Sequence, residues 1–416
     1  MNISYFISLV MCISTIVYGQ QVKLENSLSL EEAISIALKS NPEIRSSEER
    51  INATKGRFWS GISPVAPELS VNYEFVPKGQ SFSNYGEKSI ELSQAFEFPT
   101  SYFLRSSKYS FESEIARTEF LQTQISLTSR VKEAYYNVLF REQMLVIAKE
   151  NLSIAEDFYK KAEIRANCGE GTNLERLTAK VQYSEAQNNL ESSLNRLKSS
   201  YSDLNFVLGK DKQNDYSYKL TDSLDFKPAE FTLDKLYDEA ILINPEMKIS
   251  ELRLNSSSVD KKLAWSGLLP GFSLSYFNQS QNGSSGFYGG SFAISVPLWF
   301  MFDQRGKIEE ASALALASEA EMRLTKNSVF LKINKAFSNL KNAEKQVLLF
   351  QKEILPQSEE IYRAAFNSFD AGEISYLEFL QAKQTVISSR GSFLNSLLDY
   401  NMALVSLEEA TGKRFR

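Results

Sequence analysis

The chain has 416 residues with 46 basic and 51 acidic side chains and no histidine. A formal charge of -5 excludes the concentrated basic surface that a nucleic-acid partner requires, and the absence of histidine removes both the commonest metal ligand and the usual general base. No nucleophile, phosphate loop or metal-ligand spacing stands out among the remaining residues, so an enzyme is the weakest reading and no cofactor is expected.

Residues 1–19 read as a signal peptide: Tyr5 to Val17 is an apolar run, and Val17-Tyr18-Gly19 offers small residues for a signal peptidase, although no Lys or Arg precedes the run. Cys12 follows Leu9-Val10-Met11, a poor match to a lipoprotein site, so removal is expected rather than lipidation. Cys168 is then the single thiol, which excludes an internal disulfide framework. No later stretch reaches the roughly 18 consecutive apolar residues of a membrane helix. Any passage through a membrane must be made by strands.

In chain order, Leu28 to Lys39 is a short amphipathic helix that Asn41-Pro42 breaks, because proline lacks an amide hydrogen and biases its predecessor away from the helix. A second helix runs from about Pro42 to Gly61. From Leu69 the period becomes two: Leu69, Val71, Tyr73 and Phe75 alternate with Ser70, Asn72 and Glu74. After a loop from Pro77 to Lys88, Ile90, Leu92, Phe96 and Phe98 alternate with polar residues, so two strands of about ten residues form a hairpin. A long helix follows, with a seam at Leu145, Ala148, Leu152, Ala155, Tyr159 and Ala162. It turns at Asn167-Cys168-Gly169-Glu170-Gly171, and the return helix carries Leu190, Leu194, Leu197, Tyr201, Leu204 and Leu208.

The chain then starts again. Leu233 to Met247 (LDKLYDEAILINPEM) repeats Leu30 to Ile44 (LEEAISIALKSNPEI), and Trp59-Ser60-Gly61 with Pro64 recurs as Trp265-Ser266-Gly267 with Pro270. Phe272, Leu274 and Tyr276, a Gly/Ser/Asn loop, and Phe292, Ile294, Val296 and Leu298 answer the first hairpin. Ile154 to Lys210 lies over Gln357 to Lys413 without a gap, pairing Tyr159 with Tyr362 and Gly169 with Gly372. The mature chain, 20–416, is one unit used twice, about 28–210 and 231–413, joined by a linker at about 209–231. Each long helix has about 65 residues and spans roughly 100 Å, and Pro356 is expected to kink or interrupt the second one.

A soluble sheet with one buried face shows the same alternation, but strands near ten residues match what a tilted strand needs to cross a bilayer. Four strands cannot close a barrel, and open edges are not tolerated in hydrocarbon, so several copies must share one barrel. The residues leave a dimer and a trimer open.

The duplicated LxxAIxxxNPE helices, Ser295 to Lys307 (SVPLWFMFDQRGK) and Gly372 to Ala382 (GEISYLEFLQA) resemble the outer membrane efflux protein family typified by TolC. The resemblance implies a fold that is mainly α with a membrane β-barrel portion. Three protomers would share a twelve-stranded barrel above a long α-helical barrel, with a mixed equatorial belt. It implies a homotrimer set in outer membrane lipid and extending into the periplasm. Its activity would be passive export, coupled through a periplasmic adaptor to an inner-membrane pump such as an RND transporter. The modest length, the short insert and Glu91 to Pro99 (ELSQAFEFP) look more like the cobalt-zinc-cadmium and copper-silver efflux branch than like drug exporters.

In the family a Leu-Asp-x-Leu-Asp-Ala segment after the turn glycine narrows the periplasmic end. Here it reads Leu377-Glu378-Phe379-Leu380-Gln381-Ala382, with Glu378 in the first acidic place and Gln381 in the second, and Glu175 stands at the equivalent position of the first hairpin. The turns at Gly169, Glu170, Gly171, Gly372 and Glu373 are expected to meet the adaptor, with Cys168 among them. The competing class is a periplasmic coiled-coil scaffold or adaptor without a pore. It explains the heptads and the signal peptide but not a duplicated pair of hairpins with strands.

Overall fold

A computed structural model of the chain describes residues 26–211, 218–228, 230–299 and 301–415. The signal-peptide reading of residues 1–19, with Cys12, lies outside the described residues. Each repeat begins with two helices hinged on Asn-Pro-Glu. In the first, α1 (Leu30–Ser40) starts at a capping box in which Ser29 caps Glu32 and the Glu32 carboxylate returns to Ser29. Asn41 then ends α1 and caps α2 (Pro42–Ile62), its Oδ1 accepting from the Glu43 N–H. In the second repeat Asn244 does the same between α5 (Leu233–Ile243) and α6 (Pro245–Ser266). The motif also ties each repeat together: Asn41 Nδ2 donates to Val207 O, and Asn244 Nδ2 donates to Ala410 O, both at 2.9 Å.

The strands β2 (Glu68–Glu74), β3 (Glu87–Phe96), β5 (Gly271–Gln281) and β6 (Ser284–Ser295) form one antiparallel sheet in the order β2-β3-β5-β6. Two sequence expectations are corrected here. The strand β2 has seven residues rather than about ten, because Phe75 adopts φ 55 and turns the chain away. The Gly/Ser/Asn stretch expected as a loop in the second hairpin is mostly strand, and the chain reverses at Asn282-Gly283, whose φ values of 46 and 81 suit a tight primed turn. A short parallel pair, β1 (Asn26–Leu28) with β4 (Tyr218–Leu220), went unread because three residues show no period. It places Leu28 in a strand rather than in the first helix.

The first long helix, α3 (Pro99–Asn167), has 69 residues and returns as α4 (Asn173–Val207). The second is α7 (Asp303–Leu349), a π turn (Phe350–Ile354) and α8 (Leu355–Asp370), returning as α9 (Tyr376–Thr411). Buried Val329, Ile333, Leu340 and Val347 hold the places of buried Leu127, Val131, Val138 and Leu145. That register is one residue out of step with the pairing of Tyr159 and Tyr362 beyond the π turn. The π turn absorbs the extra residue, and it sits just before Pro356, which cannot donate into an α-helical ladder. Proline therefore interrupts the helix by a bulge rather than by a break.

Equivalent cores form around these seams. Leu127, Val131 and Tyr135 pack with α1, α4 and the β1–β4 pair, while Val329, Ile333 and Leu340 pack with α5 and α9. Segment 218–228 belongs to both: the Leu30 N–H donates to Asp222, and Tyr400 donates to Lys227 O.

Candidate functional site: wall, lumen and periplasmic turns

The wall helices pack in the order α2, α3, α6, α7, each touching the next, which leaves α2 and α7 as free edges of the protomer, just as β2 and β6 are free edges of the sheet. Cross-strand partners share a face. One face carries Leu69, Val71, Ile90, Leu92, Leu274, Tyr276, Phe292 and Ile294, and all eight are exposed. A soluble sheet would cover that face; none of the described residues does. The opposite face is mostly small or polar, with Phe277 and Phe287 as its aromatic members, and Ser275 and Ser291 are hydrogen-bonded on it at 2.6 Å. It carries Glu68, Glu74, Glu87 and Glu91 with no Lys or Arg among its own described positions; Lys88 of β3 lies on the other face, opposite Tyr73. No described helix is long and apolar enough to cross a membrane.

At the far end, Gly169 and Gly372 take φ of 80 and 75, the left-handed region where a side chain would be strained. The Glu170 N–H donates to Arg165 O at 3.0 Å and the Glu373 N–H to Ser368 O at 2.8 Å, so the two turns close by the same bond. Cys168 is exposed beside the first. Each return helix starts with a hydroxyl cap. Thr172 accepts from the Glu175 N–H at 3.1 Å, and Ser375 and Glu378 form a full capping box.

These caps give the expected gate residues local partners. Glu378 Oε2 accepts from the Ser375 N–H at 2.7 Å and from its hydroxyl at 2.9 Å. Those two bonds hold its carboxyl below the usual Glu range. Glu175 instead faces Arg165 at 3.4 Å, so its charge is offset. Gln381 is exposed and borders a cavity of about 440 Å³ with Asn151, Glu185, Leu377 and Lys383. Burial and the charge of Asp157 push the neighbouring Tyr376 hydroxyl up to about 12.

Sequence reasoning missed the aromatic cluster beneath the turns. Phe158 stacks on Tyr376 at 4.3 Å and Phe369 on Phe379 at 5.2 Å, joining α3 to the second hairpin. Its signal was Tyr362, Phe366 and Phe369 at helical spacing, facing Tyr376 and Phe379 across the turn. Among the described residues no group of three or more His, Cys, Asp or Glu is placed to hold a metal ion.

A protomer with an unclosed, outwardly apolar sheet above a single-layer wall of long antiparallel helices is one sector of a membrane-anchored tube. The chain belongs to the outer membrane efflux protein family, whose model matches residues 33–210 and 236–413, one match in each repeat. Among curated relatives it is similar to the cobalt-zinc-cadmium resistance protein CzcC of Cupriavidus metallidurans, 20% identical over 93% of this chain and 90% of that one. It is also similar to the outer membrane protein TolC of Vibrio cholerae, 20% identical over 92% of this chain and 90% of that one. Among solved structures it shares its fold with the open state of the Neisseria gonorrhoeae MtrE outer membrane channel. There the TM-score is 0.78 at 16% identity, covering 92% of this chain and 89% of that one. The protein is therefore an outer membrane channel of a tripartite efflux system. It is a homotrimer that extends into the periplasm and works with a periplasmic adaptor and an inner-membrane pump.

Proposed function

We propose that this channel is a passive duct, without catalysis of its own, for heavy-metal cations. The observation that carries the reading is the sign of the lumen. The polar face of each protomer's sheet holds four carboxylates and no base among its described positions, and trimerisation multiplies them into rings that favour cations over anions. The likeness to a cobalt-zinc-cadmium resistance protein supports the same cargo class.

At the periplasmic end we assign the constriction to Glu378, with Gln381 one turn further along the helix and Glu175 contributing little net charge because Arg165 faces it. The turns at Gly169, Glu170, Gly171, Gly372 and Glu373 are assigned to the adaptor. Deleting the gene should lower tolerance to cobalt, zinc, cadmium, copper or silver, and the gene supplied in trans should restore it. Unchanged metal tolerance together with lost tolerance to organic drugs would overturn the cargo assignment.

A further inference from the structure

Because the chain carries two like repeats side by side, the contact between repeats inside a protomer provides a template for the contact between protomers. The registers needed to use it are fixed by one ion pair that occurs twice. Arg130 of α3 binds Glu43 of α2, and Lys332 of α7 binds Glu246 of α6 at 2.7 Å. Lys332 therefore stands where Arg130 stands, and Glu246 where Glu43 stands. Along the uninterrupted helices α2 and α6 that register holds, so the Trp-Ser-Gly motif, three residues later in α6, lies about one turn beyond the place of its first copy. The buried seams of α3 and α7 give the same register, and the π turn lies beyond the segment concerned.

Inside the protomer, α3 of the first repeat packs on α6 of the second through two ion pairs, Arg253 to Glu119 at 3.2 Å and Lys108 to Asp260 at 2.8 Å. Transferring that contact by the fixed registers puts Glu321 in the place of Glu119 and Arg50 in the place of Arg253. It puts Glu310 in the place of Lys108 and Arg57 in the place of Asp260. The first pair keeps its signs and the second exchanges them, and both come out complementary. All four side chains are exposed, and none takes part in an ion pair within the described protomer. Leu314, Leu324 and Leu331 are exposed on the same face of α7 as Glu321. On α2, Ser46, Ala53 and Ser60 recur every seven residues, with Arg50 and Arg57 between them at alternating steps of four and three, so small residues flank the two arginines on one face. A leucine ridge thus meets a shallow groove.

We propose that the seam of the trimer is α7 of one copy packed on α2 of the next, keyed by Glu321 with Arg50 and by Glu310 with Arg57. The contact is head-to-tail, so it closes a ring by rotation. The proposal rests on the trimeric reading and names the residues that build it.

The test uses the full-length protein in outer-membrane vesicles with Cys168→Ser as background. Glu321→Cys with Arg50→Cys should give covalent dimer and trimer on a denaturing gel after a short bismaleimide, and either cysteine alone should give neither. Glu119→Cys with Arg253→Cys, which joins helices of one chain, is the control that yields no covalent oligomer. Separately, Glu310→Arg and Arg57→Glu should each lower the temperature at which the trimer dissociates, and the two together should restore it. If no crosslink forms while mass measurement still gives a trimer, the seam lies elsewhere and only this inference fails. A monomeric mass for the unaltered protein would sink the trimer as well, and a double charge swap no better than the single ones would remove the second ion pair.

Discussion

Lys132 of α3 and Glu408 of α9 form a buried ion pair, Nζ to Oε2 at 2.5 Å, with side chains 4% and 7% exposed. It joins the long helix of the first repeat to the return helix of the second. The other Glu408 oxygen accepts the Phe415 N–H at 2.8 Å, and Arg414 donates to Thr128 at 3.2 Å, so the C-terminal residues are strapped across the same junction. The repeats are thus locked together near the equatorial cores, while the turn end is held by stacked rings.

Lys132→Met should be strongly destabilising, because it leaves the Glu408 carboxylate buried without its cation, at a cost of about 3–5 kcal/mol. Adding Glu408→Leu removes the stranded charge and should recover most of that loss. Thermal dissociation of the detergent-solubilised trimer reads both. Equal melting temperatures for the single and double variants would show that burial of the charge is not what costs stability.

The Asn41 and Asn244 side chains each do two jobs that substitutions can separate. Asn244→Asp keeps the oxygen that caps α6 but loses the donor to Ala410 O; Asn244→Ala loses both. The cap is worth about 1 kcal/mol and an abandoned carbonyl about 1–3 kcal/mol. Hydrogen exchange at the start of α6 should therefore accelerate more in Asn244→Ala, while loosening at the end of α9 should appear in both. Slow exchange at the end of α9 in the Asp variant would deny the tie.

The fold was legible where the signal was periodic and repeated. The Asn-Pro-Glu break, the alternation from Leu69 and from Phe272, and the seam from Val329 to Val347 each translate directly into an element. The π turn was not legible, because a gapless pairing beyond Gln357 hides an extra residue upstream that only the burial of Val347 against Leu145 reveals. Asn282-Gly283 was a readable turn signal lost inside a glycine-rich stretch. At the turns, resemblance located Glu378 and Glu175, but sequence alone could not show that Arg165 folds back on one and Ser375 on the other. Those partners depend on the direction of a side chain after a left-handed glycine.

Cys168 is exposed at the end of α3, on the turn that the channel reading puts deepest in the periplasm. A membrane-impermeant maleimide should leave it unlabelled in intact cells and label it once the outer membrane is permeabilised. Labelling only from outside intact cells would reverse the orientation.

Glu378 titrates below the ordinary Glu range because Ser375 donates two bonds to its carboxylate. For a depressed carboxyl the charge persists above the lowered value and is lost only as pH falls through it. Cation selectivity measured in planar bilayers should therefore survive to more acidic pH than an unbonded Glu would allow. Ser375→Ala should move its loss upward in pH. Glu378→Gln separates charge from structure, since Gln at the third helical position can still accept from the cap. The start of α9 should stay intact while the ratio of cation to anion permeability falls and block by multivalent cations weakens. Selectivity and block both unchanged in the Gln variant would remove Glu378 from the constriction, leaving its capping bond to Ser375 as its role.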